Sequence, residues 1–148
     1  MTPHETPWLE SPAVFADFLA SWDTCTLPKP NWTHALHVAV SAAYAVRFRP
    51  DPLPHLRTGI CRYNDAVGTR NTATAGYHET ITRFWSTLIA RHVAHLNDTY
   101  QAAALAVPEF GAARKLLATY YSYDVVDSRE ARQTWHAPDL IGPYGPIA

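Results

Sequence analysis

Side chains able to do chemistry are concentrated in two short stretches of the 148-residue chain. Trp32-Thr33-His34-Ala35-Leu36-His37 sets two imidazoles three residues apart, side by side on a helix and in reach of one ion or one substrate. Gly76-Tyr77-His78-Glu79-Thr80 supplies a third imidazole with a carboxylate next to it. If His34, His37 and His78 meet, they form a three-imidazole shell with a free fourth position, the arrangement of a catalytic Zn²⁺ site; Fe, Cu and Ni suit the same donors. The expected cofactor is therefore a divalent metal ion, Zn first, and the expected reaction is hydrolysis or lyase chemistry through an activated water. Oxidation at Fe or Cu is the alternative on the same ligands. Two metal-free alternatives stand beside it: acid–base catalysis by His78 and Glu79, or a pocket or dimeric interaction module that binds a small molecule without turning it over. Histidines simply hydrogen-bonded at the edge of a core would read the same way.

Further residues surround this expected centre. Glu79, about 100° around a helix from His78, can ligate the ion, accept from an imidazole N–H, or act as general base toward bound water, with Tyr77 as a phenolic donor. Its structural alternative is a pair with Arg83, four residues on, which suits the first turn of a helix. Arg62, Tyr63, Asn64, Arg70, Asn71 and Tyr44 are the expected substrate contacts, Arg62 or Arg70 clamping a carboxylate. Ser41, one turn beyond His37 on the same face, is small enough to leave room for a ligand. His92 and His95 repeat the i,i+3 spacing, but His92 lies roughly 21 Å along a helix from His78, so packing or an interface is their expected use. His4, His55 and His136 lack neighbours that make a case, and Cys25 and Cys61 read as buried inert thiols.

These residues can meet only if helices carry them to one place. Ser11-Pro12 and Asp51-Pro52 each pair an N-cap oxygen with a proline suited to the first helical position, predicting helices over about 12–22 and 52–64. Asn31 is the candidate cap of a second helix running to about Arg47. A fourth opens at Gly76-Tyr77-His78, carries Ile81, Phe84, Trp85, Leu88 and Ile89 on one stripe with His78, and ends near Asn97. Weaker helices follow over about 98–107 and 109–121, with a turn-rich one near 128–135. Short connectors imply that helices two, three and four run up, down and up, so the starts of the second and fourth share one end of the bundle. Their positive dipole ends would favour an anionic substrate group there. The expected fold is all-α: one helical domain over 1–148, a bundle core over about 11–122, and an irregular Pro/Gly/Tyr-rich tail over about 123–148.

Composition narrows the function classes. With 47% hydrophobic and 17% charged residues the chain can bury a core, which argues against disorder. A net charge of −1 leaves no basic surplus for phosphate backbones, so nucleic acid is not an expected partner. No apolar run reaches the ~20 residues of a membrane span. The N-terminus lacks the basic and apolar regions of a secretory signal, and two cysteines are too few for a disulfide framework, so a cytoplasmic location is expected. A small-molecule substrate is the expected partner; five tryptophans and eight tyrosines would also serve a homodimer interface. Gly-rich phosphate loops, G-x-S-x-G, H-E-x-x-H and paired CxxC motifs are absent.

Trp32-Thr33-His34 with His37, Arg62-Tyr63-Asn64, Gly68, Asn71-Thr72 and Gly76-Tyr77-His78-Glu79-Thr80 together resemble an uncharacterised family of small bacterial helical proteins with W-T-H-x-x-H and G-Y-H-E-T motifs. The resemblance spans about residues 22–85 and implies no activity, cofactor or partner. A looser analogy, of geometry alone, is with helical-bundle metalloproteins that hold an ion by three histidines from different helices.

Overall fold

Helix α2 (His34–Arg47) lies at the centre of the molecule with nine buried residues, five of them alanines. Helix α5 (Thr99–Phe110) packs against it more extensively than any other element, burying Ala102, Ala103, Ala106 and Val107. Small side chains on both faces let the two axes approach closely. The computed structural model describes residues 5–148, and α1 (Pro12–Asp23), α3 (Leu53–Ala66), α4 (Glu79–His92) and α6 (Arg129–Gln133) complete an all-helical bundle with three short 3-10 helices. No helix among the described residues is long and apolar enough to cross a membrane.

Local chemistry explains most helix starts. Ser11, Thr33, Asp98 and Ser128 each accept a hydrogen bond from the backbone N–H three residues on, satisfying a donor that the helix leaves unpaired. Thr33, not Asn31, caps α2, because Lys29–Asn31 first forms a 3-10 turn. Pro52, not Asp51, holds the N-cap position of α3 and has no side-chain cap bond.

Helix ends depart further from the expectation. α4 stops at His92, and Arg49 donates to the carbonyls of Val93, Ala94 and Leu96 just beyond it, bracing that segment as a turn. α5 continues through Pro108: the missing N–H there costs only the bond to Ala104, whose exposed carbonyl is free to meet water. Beyond it, the stretch expected to be helical to 121 is a 3-10 helix, Arg114–Thr119. The tail folds back on its own bundle. Arg91 donates to the carbonyls of Tyr144 and Pro146, the Tyr120 hydroxyl donates to Gly145, and Ile147 is buried.

An aromatic cluster ties α1, α2 and α3 together. Trp22 is 1% exposed and meets Trp32 at 5.1 Å, Tyr44 at 5.5 Å and Tyr63 at 6.3 Å between ring centroids. Gly59 makes this possible, since a Cβ there would come within 2.7 Å of the Trp22 ring.

Candidate functional site

A cavity of about 720 Å³ runs along the first two turns of α2. His34, His37, Val38 and Ser41 form its α2 wall. Leu56 and Ile60 of α3 face it with Ile81, Thr82 and Trp85 of α4, and Trp32, Thr33, Val40, Arg114, Lys115, Leu117 and Val126 complete the lining. The size is that of a pocket for a small organic molecule.

The two histidines are held differently. His34 Nε2 lies 3.1 Å from the Phe110 carbonyl; a carbonyl only accepts, so Nε2 carries the proton and Nδ1 keeps a lone pair. Its ring meets Trp85 edge-on at 5.1 Å. His37 lies tilted against Trp32 with ring centroids 3.7 Å apart. Neither His37 nitrogen has a hydrogen-bond partner among the described residues, and the residue lines the cavity. Burial pushes the His37 imidazole down to about 3, reinforced by His34 and Arg114. Burial also lowers His34, against the bond to Phe110, and the Arg114 guanidinium adds to the lowering. Both rings are therefore neutral near pH 7.

The remaining polar lining is one-sided. Among the described residues no carboxylate borders the cavity. Arg114 and Lys115 are exposed and take no part in the two ion pairs among the described residues, Arg47–Asp23 and Arg57–Glu79. The Ser41 hydroxyl and the Trp85 indole N–H likewise have no hydrogen-bond partner there. Each of these groups can donate.

His78 does not join them. It is the N-cap of α4, with non-helical φ −130° and ψ 108°, so its side chain folds over its own first turn instead of extending along the Ile81–Trp85 stripe. Nδ1 accepts from the Ile81 N–H at 3.2 Å, and Nε2 donates to the Val125 carbonyl at 2.9 Å, leaving no lone pair for a metal. His34 meets α4 at Trp85, seven residues beyond His78, or about 10 Å along the helix. The starts of α2 and α4 are thus staggered, and the three imidazoles do not share a centre. Among the described residues no group of three or more His, Cys, Asp or Glu side chains is placed to hold a metal ion.

Glu79 and Tyr77 lie in a separate, shallow groove of about 560 Å³ with Arg57, Cys61, Asn71 and Arg132. Arg57 grips the carboxylate with Nε at 2.9 Å and Nη2 at 2.7 Å, and the Tyr77 hydroxyl donates to the same carboxylate at 2.7 Å. The Arg57 bonds hold the Glu79 carboxyl below the usual range, while burial and the bond to Glu79 raise the Tyr77 phenol. Arg83, the alternative partner for Glu79, places its guanidinium 4.4 Å over the Trp135 ring. Burial raises the Cys61 thiol in this groove, which keeps it protonated and poorly nucleophilic.

The other expected substrate contacts lie away from the α2 cavity. Asn71 accepts from Asn64 Nδ2 and from the Tyr77 N–H, both at 2.9 Å, and so organises the loop before α4. Gly76 closes that loop at φ +78°, where a Cβ would fall 2.3 Å from the Arg70 carbonyl. Tyr44 donates to Asp23 at 2.6 Å, Tyr63 to the Leu27 carbonyl at 2.8 Å, and exposed Arg62 to the Asp23 carbonyl. Arg70 is exposed. None of Tyr44, Arg62, Tyr63, Asn64, Arg70, Asn71, Tyr77 and Glu79 lines the α2 cavity. His92 packs on Phe110 and His55 on Phe48; His4 lies outside the described residues.

Trp85, Arg114 and Lys115 carry cavity roles that sequence reasoning missed. The available signal was two adjacent cations in a stretch, 110–122, without a single carboxylate. No family model, no curated protein and no solved structure matches the chain.

Proposed function

We propose that the α2 cavity binds a small amphipathic anion, and that it does so with protein donors alone. The observation that carries this reading is the imbalance of the lining: among the described residues, His37, Ser41, Trp85, Arg114 and Lys115 offer donors without a hydrogen-bond partner, and no carboxylate opposes them. An anionic group supplies the missing acceptor, and hydrogen bonds to a charged partner are the stronger kind. The aliphatic side of the lining, Val38, Leu56, Ile60 and Ile81, calls for an apolar body on the same molecule.

Two other readings have less support. Acid–base catalysis by His78 and Glu79 needs atoms free to exchange a proton with a substrate, and both His78 nitrogens and both Glu79 oxygens are already bonded within the chain. A three-imidazole metal centre lacks its third ligand, because both nitrogens of His78 are occupied.

Calorimetric titration of the untagged chain with hexanoate and hexanamide tests the proposal. Saturable binding of the acid is expected, at least about tenfold tighter than the amide, with that advantage lost in Arg114→Gln. Equal affinity for acid and amide overturns it. So would stoichiometric metal in the purified wild type that is absent from both His34→Ala and His78→Ala, which would restore the metalloenzyme reading.

A further inference from the structure

We infer, building on the anion-pocket reading, that the cavity selects a monocarboxylic acid with one flat ring on a short chain, bound with its ring inward and its carboxylate at the Arg114 and Lys115 mouth. The ring preference follows from how the lining aromatics are held. Trp32 is backed by Trp22 at 5.1 Å and Tyr63 at 5.4 Å. Trp85 is braced by Phe84 at 5.2 Å and Phe110 at 6.1 Å, with the His34 ring against its edge. Both indoles are therefore ordered before any ligand arrives, and little side-chain freedom remains to be lost on binding. A ligand ring placed among them gains aromatic contacts worth about three- to tenfold in affinity over a saturated ring of similar size.

The single charge follows from where the cations stand. Arg114 and Lys115 are the exposed basic residues of the lining, whereas Val38, Leu56 and Trp85 on the inner side are buried. A second carboxylate on the ring end would be desolvated among apolar groups with no cation beside it. Arg114 stands close enough to lower both His34 and His37, so its charge reaches the cavity, where the single N–H of the neutral His37 ring can donate to the same anionic group.

Titration of the full chain with four probes tests this: 3-phenylpropanoate, 3-cyclohexylpropanoate, 3-phenylpropanamide and 4-carboxyphenylpropanoate. The phenyl acid is expected to bind about three- to tenfold tighter than the cyclohexyl acid, and at least about tenfold tighter than the amide or the diacid. Arg114→Gln, an exposed and unpaired position, should lower the affinity for the phenyl acid about tenfold and leave that for the amide unchanged. A cyclohexyl acid that binds as well as the phenyl acid, while both outrank the amide, overturns the ring preference and leaves the anion pocket standing. A diacid that matches the monoacid overturns the single-charge assignment. An amide equal to its acid overturns both this inference and the reading beneath it, and no saturable binding of the phenyl acid up to about 10 mM overturns the inference.

Discussion

In the groove beside α4, an arginine, a glutamate and a tyrosine satisfy one another, whereas in the cavity along α2 a pair of cations, a histidine and an indole face open space. Both regions contain the residue types associated with catalysis. Their difference lies in what is left over: Glu79 has both oxygens engaged and His78 both nitrogens, so neither has anything to offer a ligand without first breaking a bond. His37 and Arg114 have polar atoms with no hydrogen-bond partner among the described residues. Chemical type identifies a candidate, but unsatisfied bonding capacity is what makes a site.

Substitutions should separate the two regions, beginning with the one that harms the fold most. His78→Ala removes a helix cap and a buried bond to Val125 together, and should lower unfolding free energy by about 2–3 kcal/mol in urea denaturation. His78→Asn, which can still cap α4, should recover about half of that loss. A loss below about 0.5 kcal/mol would break the comparison, because it would free His78 for another role.

Acidification acts next. Unfolded histidines take up protons near pH 6.5, while folded His37, at about 3, does not. The unfolded chain therefore binds more protons as pH falls through this window, and stability falls with it, by up to about 1.4 kcal/mol per pH unit from His37 alone. His34 and His78, also lowered by burial, act in the same direction. Glu79 adds its own loss below about pH 4.3, since its folded carboxyl lies under the unfolded value. Urea midpoints that stay constant between pH 7 and 5 would show that the imidazoles are not held neutral by burial.

Glu79→Gln should cost about 1 kcal/mol, since exposed Arg57 can turn to water, and should leave anion binding at the α2 cavity unchanged. Arg114→Gln should have the smallest effect on folding, within about 0.5 kcal/mol of wild type, and a large effect on anion titration. If Glu79→Gln abolished binding while Arg114→Gln preserved it, the roles of the two clefts would be reversed.

Much of the fold was legible because it depends on neighbours in sequence. Ser11-Pro12 announced α1, and the apolar stripe from Ile81 to Ile89 announced α4, since caps and helical periodicity act over three or four residues. His34 and His37 were likewise paired correctly on one face, both lining the cavity. The third imidazole was misplaced by a single residue of helix boundary. With His78 at the N-cap, its ring turns back to the Ile81 backbone N–H and the Val125 carbonyl instead of extending along the stripe it would join one residue further in. Likewise, Glu79 had Arg83 as its obvious partner at i+4, but α3 brought Arg57 across with a better-aligned guanidinium.

By itself, the sequence determined an all-helical chain, a buried alanine-rich α2, and a pair of histidines on one face of it, because each depends on propensity and spacing within a few turns. Only the tertiary structure decided which polar atoms would be satisfied. Val125 reached His78 from 47 residues away and Phe110 reached His34 from 76, while among the described residues no hydrogen-bond partner reached the side chain of His37 or Arg114. Hydrogen bonds between distant segments depend on how helices stagger by a turn or two, and at about 5.4 Å per turn such a shift is enough to carry a side chain from one cleft to another.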